Sequence, residues 1–109
     1  MNQRIVDHFN SSAKTALASG EALAEEISRA SQSMLNTLDS GGKLLLCGNG
    51  GSATDAMHFS AELLVRFLKE RQALPAVALV SDTATLTATG NDYAFDQIFS
   101  RQVEALAAP

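Results

Sequence analysis

A short apolar run, Lys43 to Cys47, passes straight into Gly48-Asn49-Gly50-Gly51 and then into a stretch with helical periodicity. Continuous apolar residues are the mark of a strand covered on both faces, which in practice means a parallel strand with helices packed against it. Glycines lacking a Cβ allow the abrupt change of direction from strand to helix, and allow backbone to approach a ligand closely. Ser52 is expected as the N-cap of the following helix, with Asp55 three residues on in a capping-box-like position. That helix is predicted to reach about Leu68, with Met57, Ala61, Leu64 and Leu68 as its apolar stripe.

A second continuous apolar run, Ala76 to Val80, follows Pro75 and predicts a second parallel strand. The connection between the two strands should be a right-handed crossover. Ser81-Asp82 can cap a helix starting near Thr83, Gly90-Asn91-Asp92 reads as a turn, and a last helix is predicted from Phe95 to Ala107. Ile98, Phe99, Val103 and Leu106 are its expected inward residues.

Ahead of the first strand, Ile5, Phe9, Ala13 and Leu17 recur at helical spacing, and so do Leu23, Ile27, Ala30, Met34 and Leu38. The pattern predicts helices over 2–18 and 21–38, broken or bent at Ser19-Gly20 and ended by Ser40-Gly41-Gly42, where glycine supplies a left-handed residue. The expected order is α-α-β-α-β-α-α, an α/β fold with a helical segment over 1–40 and strand–helix units over 43–109. Two strands are too few for a stable parallel sheet covered on both faces. The residues are therefore expected to be the front part of a larger α/β domain.

Hydrophobic residues make up 46% of the 109 and charged residues 18%, a globular balance for one domain. The net charge is −4 and the eight basic residues are scattered, which argues against nucleic-acid binding. No apolar stretch approaches the ~20 residues that span a bilayer, and no apolar core follows Met1-Asn2-Gln3-Arg4 as in a signal peptide. The single Cys47 has no internal disulfide partner, which fits a reducing, cytoplasmic compartment. At the end of a strand it is expected as a small core residue rather than a nucleophile.

Three groups of residues carry possible chemistry. Free N–H groups at the start of the helix after Gly51, together with Asn49, suit a phosphate or sugar hydroxyl; a tight turn with no ligand has the same spacing. The run is neither a Walker A sequence nor a dinucleotide fingerprint. His58 and Glu62, four apart, share a helix face and suit two ligands of one Zn²⁺, or a ligand and a base. Spacing alone favours a solvated pair. Asn91 and Asp92 suit either a turn or a polar contact to sugar hydroxyls. His8 reads as a surface residue.

These residues resemble a known family. Cys47 through Glu62, Arg66, Leu74 to Leu79, Gly90-Asn91-Asp92 and Phe99 to Ala105 are similar to bacterial phosphoheptose isomerases, which are sugar-isomerase (SIS) domain enzymes. The likeness runs along essentially the whole chain. It implies a flavodoxin-like, three-layer parallel-sheet fold and conversion of sedoheptulose 7-phosphate to D-glycero-D-manno-heptose 7-phosphate for the lipopolysaccharide core. It implies a phosphorylated heptose substrate, a homotetramer and Zn²⁺. Carried over by position, Asn49, Gly50, Gly51, Ser52, Asn91 and Asp92 become substrate contacts, His58 and Glu62 zinc ligands, and Glu62 also the acid–base carboxylate.

The family's serine-rich phosphate loop and late helix with a Gln and a His have no counterpart in these residues. An inactive front half of the enzyme is the resulting expectation. A second relative is the non-enzymatic, DnaA-binding replication-initiator-associating factor, which Glu21-Ala22-Leu23 and Ile27-Ser28-Arg29-Ala30 resemble. That factor lacks a glutamate at the position of Glu62, which favours the enzyme. A SIS-domain regulator that senses a phosphosugar is a third class.

Overall fold

The computed structural model describes residues 1–107; Ala108 and Pro109 lie outside the described residues. Its elements are helix α1 (Asn2–Asp39), strand β1 (Leu44–Leu46), helix α2 (Gly51–Leu64), strand β2 (Ala76–Ala78), helix α3 (Thr83–Asp92), a single 3₁₀ turn (Phe95–Gln97) and helix α4 (Ser100–Leu106). The chain is α/β and divides into two compact units, Met1–Leu35 and the residues from Asn36 onward.

The first unit is helix alone. In place of the two expected helices, α1 is continuous through Ser19-Gly20, and Gly20 does not take a positive φ. One glycine costs a helix interior roughly 0.5–1 kcal/mol relative to alanine, too little to interrupt a run of favourable residues on both sides. No residue of α1 is buried.

The second unit begins with the end of α1. Gly41 takes φ 80°, its N–H donates to the Leu38 carbonyl (3.0 Å), and the Gly42 N–H donates to the Thr37 carbonyl (2.9 Å). This is the Schellman arrangement, as the Ser-Gly-Gly sequence led us to expect. A Cβ on Gly42 would fall 2.8 Å from the Thr37 methyl.

β1 and β2 pair in parallel, with Leu44 opposite Ala76, Leu45 opposite Val77 and Leu46 opposite Ala78. α2 packs on both strands. Its buried residues are Ala56 and Ser60, and the Ser60 hydroxyl donates to the Ala76 carbonyl at 3.2 Å. The expected stripe is displaced: Met57, Leu64 and Leu68 are exposed. Small side chains face the sheet because they let the helix approach it closely, so size overrode hydrophobicity in choosing the buried face.

Among the described residues Leu79 is the one large side chain that is fully buried, and Ala76 and Ile98 are buried as well. Gln102 fastens α4 there, its amide donating to the carbonyls of Leu79 and Ile98 at 2.9 Å each. Of the other expected inward residues, Phe99 is half-buried while Val103 and Leu106 remain exposed. Lys43 closes the C-terminal end of α4 by donating to the Leu106 carbonyl at 2.9 Å.

Candidate functional site

The glycine turn joins β1 to α2. The helix cap is Gly50, at φ 58° and ψ −124°, and no side chain caps α2, so Ser52 is not the N-cap. Instead the Ser52 N–H donates to the Asn49 carbonyl and the Ala53 N–H to that of Gly50, both at 3.1 Å, placing Ser52 inside the first helical turn. The turn takes its tightness from Gly48, where a Cβ would lie 2.5 Å from the Ser52 carbonyl oxygen. Gly51 faces open space.

Gly48, Asn49, Gly50 and Ala53 line one side of a depression of about 450 Å³; Val80, Leu86, Gly90, Phe95 and Ile98 are among the residues opposite. Backbone polar groups thus meet an apolar wall at the C-terminal end of β1, the position where open parallel sheets bind ligands.

His58 and Glu62 project from the same face of α2, one turn apart. His58 Nε2 lies 3.0 Å from Glu62 Oε1, and the side chains are 76% and 36% exposed. They line, with Asp55, Phe59 and Phe67, a separate depression of about 230 Å³. The pair therefore converges but does not face the hollow under the glycine turn.

Asn91 and Asp92 form the last turn of α3 rather than a loop. The helix carries through Gly90, whose φ is not positive, and ends only at Tyr93. The Asn91 amide donates to the Asp92 carboxylate at 2.8 Å, and Asp92 lines a third hollow, of about 620 Å³, with Asp82, Tyr93 and Arg101. α3 begins as expected: the Asp82 carboxylate accepts from the Ala84 and Thr85 N–H groups at 3.0 and 3.2 Å. The Thr85 hydroxyl and then its N–H hold the Asp82 carboxyl below its ordinary range against an opposing desolvation, with the Ala84 N–H as the smallest contribution.

With this geometry in hand, the comparison with known families is decisive at the family level: the SIS-domain profile matches residues 8–108. The chain belongs to the SIS-domain family. This SIS domain is 51% identical over all 109 residues to a phosphoheptose isomerase from Thiobacillus denitrificans, and 54% identical to one from Shewanella loihica. It spans about half of these relatives, 55% of each. Among solved structures, the phosphoheptose isomerase of Neisseria gonorrhoeae matches with a TM-score of 0.88 and 45% identity over 97% of this chain and 54% of that one. That of Francisella tularensis matches with a TM-score of 0.91 and 46% identity over 96% and 55%.

Within the SIS domain, an imidazole nitrogen and a carboxylate oxygen are donor types that zinc accepts, and two ligands of one tetrahedral zinc ion sit about 3.3 Å apart. The 3.0 Å separation of His58 and Glu62 is close to that. Among the described residues, however, no group of three or more His, Cys, Asp or Glu side chains comes together. A structural zinc site takes four protein ligands and a catalytic one three, with the fourth position open. These residues therefore provide part of such a site and not the whole.

The SIS-domain geometry adds a residue that the sequence reading passed over. Arg71, in the segment after α2, donates to the carbonyls of Glu62 (2.6 Å), Leu63 (2.8 Å) and Gln72 (2.8 Å). A lone arginine in a charged stretch gives no periodic signal, and only the folded loop brings it onto the helix end. Cys47 differs in the other direction: expected in the core, it is exposed. β1 ends at Leu46, so Cys47 falls outside the paired strand. No helix among the described residues is long and apolar enough to cross a membrane.

Proposed function

We propose that the whole protein is a phosphoheptose isomerase, interconverting sedoheptulose 7-phosphate and D-glycero-D-manno-heptose 7-phosphate. The observation that carries this reading is the 3.0 Å His58–Glu62 pair on the helix launched by the glycine turn. Identity of 51–54% over all 109 residues with phosphoheptose isomerases supports it.

The reaction moves a proton between two adjacent carbons, and a hydroxyl proton between their oxygens, through an enediol. It needs a base beside those carbons and a group that stabilises charge on the carbonyl oxygen. Glu62, which in these residues opens onto a hollow separate from that of the glycine turn, is the residue assigned to take the proton from one carbon and return it to the next. Without metal, His58 Nε2 holds the Glu62 carboxylate in place at 3.0 Å; with zinc bound, the two side chains would instead share the ion. Asn49, Gly50, Gly51 and Ser52 bind the sugar phosphate through backbone N–H groups and polar side chains. Asn91 and Asp92 are assigned to the sugar hydroxyls by the family likeness, although Asp92 here lines a hollow apart from the glycine turn. Zinc held by His58 and Glu62, with its other ligands from outside these residues, would supply a Lewis acid at the carbonyl oxygen. The reading includes a cytoplasmic homotetramer serving the lipopolysaccharide core.

Isomerisation by Glu62→Gln in the whole protein tests the central assignment, and near-normal turnover would overturn it. Gly51→Val tests the substrate site. Gly51 faces open space, so the fold should survive and substrate affinity should fall; unchanged affinity means the turn is structural only. Removing metal with a chelator should abolish turnover, and restoring zinc should recover it. These 109 residues on their own should be inactive, because they bring together only two donors; activity from them alone would show that the site is complete without further residues.

A further inference from the structure

We infer that Arg71 is a positioning residue that holds the Glu62 backbone, and through it the Glu62 carboxylate, in register for proton transfer. The inference rests on Glu62 being the acid–base carboxylate. α2 stops at Leu64, so the carbonyls of its last turn lose their intrahelical donors. The Ala61 carbonyl still accepts from the Val65 N–H at 2.9 Å, but Val65 leaves helical geometry at φ −96°, ψ −84°.

The carbonyls of Glu62 and Leu63 are taken over from outside the helix. Arg71 Nη2 donates to Glu62 at 2.6 Å and Nη1 to Leu63 at 2.8 Å, while the Leu74 N–H adds a second bond to Leu63 at 3.0 Å. Nη1 also donates to the Gln72 carbonyl at 2.8 Å, tying the guanidinium to its own loop. Its positive charge lies where the helix dipole is negative.

A helix's last turn is where fraying starts. Glu62 is the third residue from the end of α2. Loss of the clamp would let its φ and ψ wander and break its 3.0 Å register with His58. Arg71 and Glu62 also line one hollow of about 330 Å³ with Phe59, Leu63 and Phe67. The planar fork serves two carbonyls at once, which a lysine ammonium on a flexible stem cannot reproduce.

The experiment uses the whole protein with three variants: Arg71→Met, Arg71→Lys and Glu62→Gln. Arg71→Met keeps the aliphatic stem and removes the fork. A displacement of about 1 Å at a reacting group costs on the order of 100-fold in rate. We expect kcat to fall by roughly 10- to 100-fold with KM within about twofold. Arg71→Lys should recover only part of that loss. If Arg71→Met does not yield folded protein, Arg71→Lys alone decides. Reduced kcat at unchanged KM supports the inference, and kcat equal to that of the unaltered protein overturns it.

A lowered Tm with both kcat and KM unchanged would mean that Arg71 is only a structural cap, and would also overturn it. Glu62→Gln separates the two levels of argument. If it retains normal turnover, the base assignment fails whatever Arg71 does. If it abolishes turnover while Arg71→Met leaves kcat intact, only the positioning role fails.

Discussion

Residues 1–35 and the unit from Asn36 onward are held by different forces. In the first, every backbone bond is local, from one helical turn to the next, and no residue is buried. Ile5, Phe9, Leu17 and Ile27 stay more than half exposed, and the Arg29–Glu26 ion pair lies in the open. Exposed pairs of this kind contribute little. In the second unit, Leu44 pairs with Ala76 across a long separation in sequence, and Leu79 is 1% exposed. A helix without tertiary cover draws its stability from propensity and length. A parallel pair draws it from what covers both faces. The candidate chemistry sits wholly in the second unit, where non-local contacts fix positions.

The sharpest way to break this comparison is through activity. Glu62→Gln in the whole protein should lower kcat by about 10²–10⁴-fold, the usual range for a general acid–base group. A substitution on the exposed face of α1 that removes no apolar surface, such as Lys14→Gln, should leave kcat unchanged. Equal losses from both would show that the first unit contributes to the chemistry.

Next in size are the core and its counterpart. Leu79→Ala should cost about 2–5 kcal/mol in denaturant unfolding, since its side chain is almost wholly enclosed. Phe9→Ala, at a residue 71% exposed, should change the stability of the 109 residues by no more than about 0.5 kcal/mol. A loss at Phe9 rivalling that at Leu79 would show that the α1 stripe is covered in solution.

One substitution should have opposite signs in the two regions. Gly48→Ala puts a methyl 2.5 Å from the Ser52 carbonyl and should destabilise by about 1–3 kcal/mol. Gly20→Ala meets nothing within 4 Å inside a continuous helix and should stabilise by about 0.5–1 kcal/mol. Thermal unfolding of both variants checks the pair.

The smallest effect is expected at Asp82. Its carboxyl is held below the ordinary 3.8, chiefly by the Thr85 hydroxyl and N–H. A depressed folded value means that the charged cap adds stability above the unfolded value and loses it as pH falls through the lower, folded one. Asp82→Ala should therefore lower Tm slightly at neutral pH, and the difference from the unaltered protein should vanish in strong acid. A difference that grew with acidity would have the wrong sign for a cap.

Much of the candidate site was legible in the sequence because its signals are local. The Gly41 helix stop, the Asp82 cap, the glycine turn after β1 and the i, i+4 approach of His58 to Glu62 each depend on residues within a turn of one another. The misread features are those in which a neighbour competes. Ser52 lost the N-cap position to Gly50 because the turn closes two residues earlier. Asn91 and Asp92, read as a turn, are the final turn of α3, since Gly90 tolerates helix once the preceding residues have formed it. Ser19-Gly20, read as a break, lies within 38 residues of unbroken helix.

By itself the sequence determined the order of helix and strand, that the strands would pair in parallel, and that a histidine and a carboxylate would meet on α2, though α2 stops at Leu64 rather than Leu68 and the last helix starts at Ser100 rather than Phe95. Those outcomes follow from periodicity, apolar runs and the steric freedom of glycine, all properties of short stretches of chain. Only the tertiary structure decided that Ala56 and Ser60, rather than Met57 and Leu64, would face the sheet, because closeness of approach is set by the opposing surface. It alone brought Arg71 onto the carbonyls of Glu62 and Leu63. It also opened the glycine turn, the His58–Glu62 pair and Asp92 onto three different hollows. Each of these depends on residues distant in sequence reaching a common place, and no local pattern encodes the distance between them.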